Sequence, residues 1–121
     1  MILITQSPYQ SIATWLKEAV FVLSQNDLEG FIDKFDCSAL KKRDFYMILR
    51  HGNEKRKPLI IDSPYDTPLQ EKIIKTQYSY LLQCNLYTYG KSNGLVLEVE
   101  FIIDKDMFYV ILQDMHDEQL I

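Results

Sequence analysis

Glycine and proline are scarce in this chain, four of each in 121 residues, which excludes a collagen-like, low-complexity or linker-dominated polypeptide. Cysteine is scarcer still. Cys37 and Cys84 stand far apart with no CxxC or Cys/His spacing, so neither a zinc site nor a disulfide framework is expected, and a reducing cytoplasm suits the chain. The start, Met1-Ile2-Leu3-Ile4-Thr5-Gln6-Ser7, has no basic n-region and no long apolar stretch, so neither a secretory signal nor a membrane anchor is expected there. Apolar runs such as Ala19 to Leu23 fall far short of the roughly 20 residues that cross a bilayer, and no membrane partner is expected. The patterns GxGxxG, GxxxxGK[ST], GxSxG and HExxH are all missing. Their absence gives no support to a nucleotide site, a hydrolase elbow or a metallopeptidase helix, and the chain is expected to be no enzyme and to need no cofactor.

What is present is an ordinary globular composition, 47% hydrophobic and 25% charged, in a length that suits one domain, residues 1–121. Eight Tyr and six Phe are more aromatic surface than a core of this size needs, so some tyrosine is expected at a groove or interface. The net charge of −4 hides a polarised distribution. Between Lys41 and Lys57 seven bases face two acids, a local charge of +5, whereas from Glu98 onward seven acids face Lys105 alone, giving −6. Such asymmetry forms solvated faces and can steer a charged partner to one side of a fold.

Ser7-Pro8 is a helix start, with Ser placed to accept from first-turn amides and Pro preset for the first helical position. Ile12, Trp15, Leu16, Ala19, Val22 and Leu23 then form one stripe, predicting a helix to about Gln25. Asn26 or Asp27 can cap a shorter helix with Leu28, Phe31, Ile32 and Phe35 inward, against the low propensity of Gly30. A third helix is predicted from about Ser38 to Arg50, ended by Gly52 and followed by a basic loop to Lys57 and a short strand Leu59-Ile60-Ile61. Pro64 and Pro68 then forbid regular structure.

The second half reads as strands. One begins near Ser79 and runs through Leu86-Tyr87-Thr88-Tyr89, turning at Gly90 to Gly94. In the next, Leu95, Leu97, Val99, Phe101 and Ile103 form a core face that alternates with Val96, Glu98, Glu100 and Ile102. After a reversal at Asp104-Lys105-Asp106, Phe108, Val110 and Leu112 alternate with Tyr109, Ile111 and Gln113. Helices first and an antiparallel meander afterwards define an α+β protein with N-terminal helices on a curved C-terminal sheet.

Three segments invite functional readings. Asp114-Met115-His116-Asp117-Glu118 puts an imidazole among carboxylates, a combination suited to acid/base chemistry or a cation, although a lone His reads more simply as the acidic end of the last strand. The basic loop from Arg50 to Lys57 offers cations for phosphate but no interleaved aromatics, and with a pI near 5.1 no direct nucleic-acid binding is expected. Tyr78, Tyr80, Tyr87 and Tyr89 are dense along one segment; they read either as core and edge packing or, beside acidic side chains, as the composition of a hot spot for an Arg- or Lys-rich surface.

The whole arrangement resembles the NTF2-like (cystatin-like cone) superfold. Within it, the segment Asn26-Asp27-Leu28-Glu29-Gly30-Phe31-Ile32-Asp33-Lys34-Phe35 and the ending that runs from Leu95 to His116 resemble small bacterial immunity proteins of contact-dependent and polymorphic toxin systems. The resemblance implies a protein without catalysis of its own that neutralises a cognate toxin, commonly a basic nuclease. On that reading the contact surface is expected to be Asp104, Asp106, Asp114, Asp117 and Glu118 with Tyr87 and Tyr89. The alternative is an NTF2-like small enzyme or small-ligand binder using the cone pocket, as other members of that superfold are; a small-molecule ligand is the less expected partner.

Overall fold

The computed structural model describes residues 1–5, 7–50 and 59–117. The chain order is β1 (Ile2–Leu3), α1 (Pro8–Ser24), α2 (Leu28–Ile32), β2 (Cys37–Ser38), α3 (Lys42–Arg50), β3 (Gln70–Lys75), β4 (Ser79–Thr88), β5 (Lys91–Asp104) and β6 (Met107–Asp117). The protein is α+β: its N-terminal helices pack against a strongly curled sheet that forms a half-barrel, a cone-like form. Strands run β1-β6-β5-β4-β3, all antiparallel, and β2 joins β6 in parallel. No described helix is long and apolar enough to cross a membrane.

Local chemistry accounts for the helices. The Ser7 hydroxyl accepts from the Gln10 amide at 3.1 Å, and Pro8 opens α1 as expected. The buried stripe of α1 is Ile12, Trp15, Leu16, Ala19, Val20 and Leu23, with Val22 at its margin. In α2 the Asp27 carboxylate caps the Gly30 amide at 2.9 Å. A Cβ on residue 30 would lie 2.3 Å from an Asp27 carboxylate oxygen, so glycine is what allows this close cap. The third helix begins at Lys42 rather than near Ser38, because Cys37 and Ser38 are drawn into pairing with Ile111 and Leu112. Lys42 and the Tyr46 hydroxyl both reach Glu29, tying α3 to α2. Those contacts, the lysine's first, hold the Glu29 carboxyl below its ordinary range.

The sheet encloses the core. Tyr80, Leu82, Cys84 and Leu86 of β4, Leu95, Leu97, Val99 and Phe101 of β5, and Phe108, Val110, Leu112 and Met115 of β6 face the helices. Trp15 reaches into the hollow and meets Phe101 and Phe35 edge-on, each at 5.2 Å between centroids. Ile103, expected in the core, sits at the rim with 37% of its surface exposed, because β5 ends one residue later. Val96, expected on the wet face, is buried there between its cross-strand partners Asn85 and His116.

Other differences have physical causes. Leu59 to Ile61 form no strand; the segment is pinned instead by single bonds from the Leu59 amide to the Leu49 carbonyl and from the Asp62 amide to the Tyr87 carbonyl. β3 was not expected: Gln70-Glu71-Lys72 carries no apolar alternation, since this edge strand is exposed everywhere except Ile73. The β4–β5 reversal is tighter than expected, at Tyr89–Gly90, with Lys91 to Gly94 already in β5. The expected Gly52 cap and the basic loop from His51 to Lys57 lie outside the described residues.

Both cysteines are free thiols, Cys37 exposed and Cys84 buried. Burial, with a smaller contribution from the nearby Glu71 charge, lifts the Cys84 thiol to about 12. Iodoacetamide at neutral pH is therefore expected to modify Cys37 and to reach Cys84 only in denaturant. A second modification of the native protein, read by intact mass, would show that the sheet opens from its helices.

Candidate functional site

A change of strand parity positions the site. Along β5 the core face alternates without interruption, but on β6 the register jumps from Leu112 opposite Val99 to Asp114 opposite Glu98. Gln113 is the extra residue of a β-bulge, so the core positions of β6 step from Leu112 to Met115. Asp114 and His116 are thereby placed on the outer face, away from the helices. Without the bulge they would share a face with Leu112 and Val110.

The outer face consequently gathers three carboxylates in its middle. Glu98 lies opposite Asp114 on one side and Gln83 on the other, and its Oε1 accepts from the Gln83 amide at 2.8 Å. Glu100 accepts from the Ser79 hydroxyl at 3.0 Å and from the bulged Gln113 amide at 2.8 Å. Asp114 Oδ2 lies 3.2 Å from His116 Nδ1, and both side chains are about two-fifths exposed, at 42% and 37%. Among the described residues no lysine or arginine pairs with Glu98, Glu100 or Asp114; their partners are neutral amides, a hydroxyl and one imidazole. Beside Glu98 the face dips into a cleft of about 110 Å³, apolar at Ile74 and Leu81 and bordered by Gln83, Glu98 and Gln113.

The residues expected from sequence are spread over the length of this face. Asp104 ends β5 and Asp106 lies in the β5–β6 turn, both exposed. Asp114 is opposite Glu98, six residues back along β5 from Asp104, or ~20 Å of strand. Tyr87 is half-buried and paired with Ser92, about another 20 Å along, and Tyr89 stands beyond it in the turn, 78% exposed. Asp117 pairs through its backbone with Leu95; its side chain and all of Glu118 lie outside the described residues. The structure thus brings Asp114 together with Glu98, Glu100 and His116, and separates it from Asp104, Asp106 and the two tyrosines. Sequence reasoning missed Gln83, Glu98, Glu100 and Gln113 as site residues. The signal was the three-residue step between Leu112 and Met115, which betrays the bulge.

The turn that carries Tyr89 is held by Asp62. Its Oδ1 accepts from the Tyr89 amide at 2.9 Å, its Oδ2 from the Gly90 amide at 2.7 Å, and Oδ2 also from the Thr67 hydroxyl at 2.9 Å. Burial opposes the Asp62 charge, but the Gly90 amide, the Thr67 hydroxyl and the Tyr89 amide outweigh it and hold the carboxyl below 3.8.

A groove of about 340 Å³ lies on the helix side, between α1 and the segment from Pro64 to Glu71. Lys17 and Glu71 are its charged lining residues, and His116 is on the opposite face of the sheet. The hollow of the half-barrel itself is filled by Trp15, Phe101, Phe108 and Tyr80. Comparison with known proteins returns no match to a family model, to a curated protein or to a solved structure.

Proposed function

We propose that this chain is a protein-binding module of the immunity type, which neutralises a basic bacterial toxin, a nuclease domain, by direct contact through the outer face of β3 to β6 and performs no chemistry of its own. The observation that carries the reading is the set of carboxylates on that face, Glu98, Glu100 and Asp114, none of them ion-paired with a described lysine or arginine. In the middle of a wide strand surface such a set projects a negative field, with Lys72 one strand away beyond Gln83, and that field draws a cationic surface and favours its docking. The cleft beside Glu98 suits the anchor of such a contact. A lysine or arginine can lay its methylene stem against Ile74 and Leu81 and bring its charge to Glu98.

Co-expression with a toxin domain encoded beside this gene, followed by purification of the complex, tests the proposal. Reversing the charge in Glu98→Lys/Glu100→Lys is expected to weaken the complex by at least ~100-fold, with slower association and a shallower salt dependence. Cells carrying the toxin should survive with the native chain and die with the double variant. Equal affinity and equal protection would remove this face from the contact.

A further inference from the structure

We infer that Glu98, Asp114 and His116 form a binding site for a divalent transition-metal ion of the zinc class, a property of the isolated chain that does not rest on the docking proposal. One ligand atom from each of the three side chains lies within 4.8 Å of the other two. The Asp114 Oδ2 to His116 Nδ1 separation of 3.2 Å already matches the ~3.4 Å between neighbouring ligands of a tetrahedral ion with bonds of ~2.1 Å. Glu98 completes the set with a carboxylate oxygen within 4.8 Å of the other two. Its Oε2 carries no hydrogen bond among the described residues, while Oε1 is held by Gln83.

The donor chemistry sets the ion class. One imidazole with two carboxylates is a borderline donor set, which favours zinc, cobalt or manganese over the all-oxygen sites of magnesium and calcium. Two negative charges and a neutral imidazole also match the charge of a dication. The backbone supplies rigidity that an exposed acidic loop lacks. All three residues stand within paired strands, two of them two residues apart on β6 and the third directly across on β5. The Gln83 amide orients Glu98 from outside, as outer-shell partners of metal ligands do. Because the three side chains are partly exposed, the ion keeps an open coordination position toward solvent.

The test uses the purified chain after EDTA treatment and dialysis. Zinc chloride titrated into it should give saturable one-to-one binding by calorimetry, and the His116 imidazole resonances should shift in step. Glu98→Gln, Asp114→Asn and His116→Ala are each expected to weaken binding at least tenfold while leaving the far-ultraviolet spectrum unchanged. Gln83→Leu, which touches no ion, should weaken it by about tenfold through the loss of Glu98 orientation. Magnesium chloride should give no comparable saturation. Binding of equal strength in His116→Ala, or no saturable binding of zinc, cobalt or manganese, would overturn the site. Because no partner is present, failure here leaves the docking proposal standing; conversely, Glu100→Lys disturbs docking without removing a metal ligand.

Discussion

Replacement of Phe101 by alanine is expected to lower the stability of this protein by about 4 kcal/mol. The ring is fully buried at the centre of the hollow, edge-on to Trp15 at 5.2 Å and to Phe108 at 5.6 Å. Truncation removes the ring's transfer free energy and leaves a cavity that cannot collapse, since its walls belong to two paired strands and a helix that are fixed elsewhere. Against a total of ~5–15 kcal/mol for an ordinary domain, this is a large fraction. Trp15, the single tryptophan, sits against the ring, so its fluorescence reports the transition directly in a urea titration. A loss below ~1.5 kcal/mol would mean that the helices and the curled sheet are not locked through this contact.

The second large effect is expected at Asp62, which joins three donors from two separate parts of the chain. Both central residues of the β4–β5 turn have positive φ, 52° at Tyr89 and 79° at Gly90, as a type I′ hairpin turn requires. Glycine adopts this freely, whereas tyrosine is strained there, and the Asp62 carboxylate offsets the strain by receiving both amides. Asp62→Ala removes three charge-assisted bonds at once and is expected to cost about 2–3 kcal/mol. Asp62→Asn, which keeps the shape and an acceptor, should cost less. The pH dependence has a definite sign. A carboxyl held below 3.8 in the folded state binds its proton less readily there than in the unfolded chain. Its stabilisation is therefore complete above about pH 4 and is lost as pH falls through the folded value. The gap between native and Asp62→Asn midpoints should be wide at neutral pH and shrink in acid; a gap independent of pH would show that charge is not its source.

These two positions differ in how far sequence exposes them. Phe101 was legible, because the alternation from Leu95 to Ile103 announces a strand with one core face, and the Ser7-Pro8 start with its apolar stripe announces the helix that covers it. Asp62 was not, since its donors come from residues 5 to 28 positions away and nothing local marks it as a clamp. The same limit applies to the outer face. Asp114 and His116 stand out as an imidazole beside an acid, but their union with Glu98 depends on a cross-strand register that a single bulged residue decides. β1 and β2, with two residues each, are too short to leave any periodic trace. β3 is polar because it is an edge, so the feature that defines it also hides it.

The two borders of the sheet are treated unequally. Along β6, β1 occupies Met107 and Phe108 and β2 occupies Ile111 and Leu112, while the Asp36 carboxylate takes the Val110 amide between them at 2.7 Å. Among the described residues β3 has a neighbour only in β4, and it carries Lys72 and Lys75. Polymerisation by strand addition needs two open borders on every molecule, one to give and one to receive. Two-residue strands make poor templates, so among the described residues β3 is the longer continuous border, and a second copy adding by strand pairing is expected to meet this molecule there, β3 to β3.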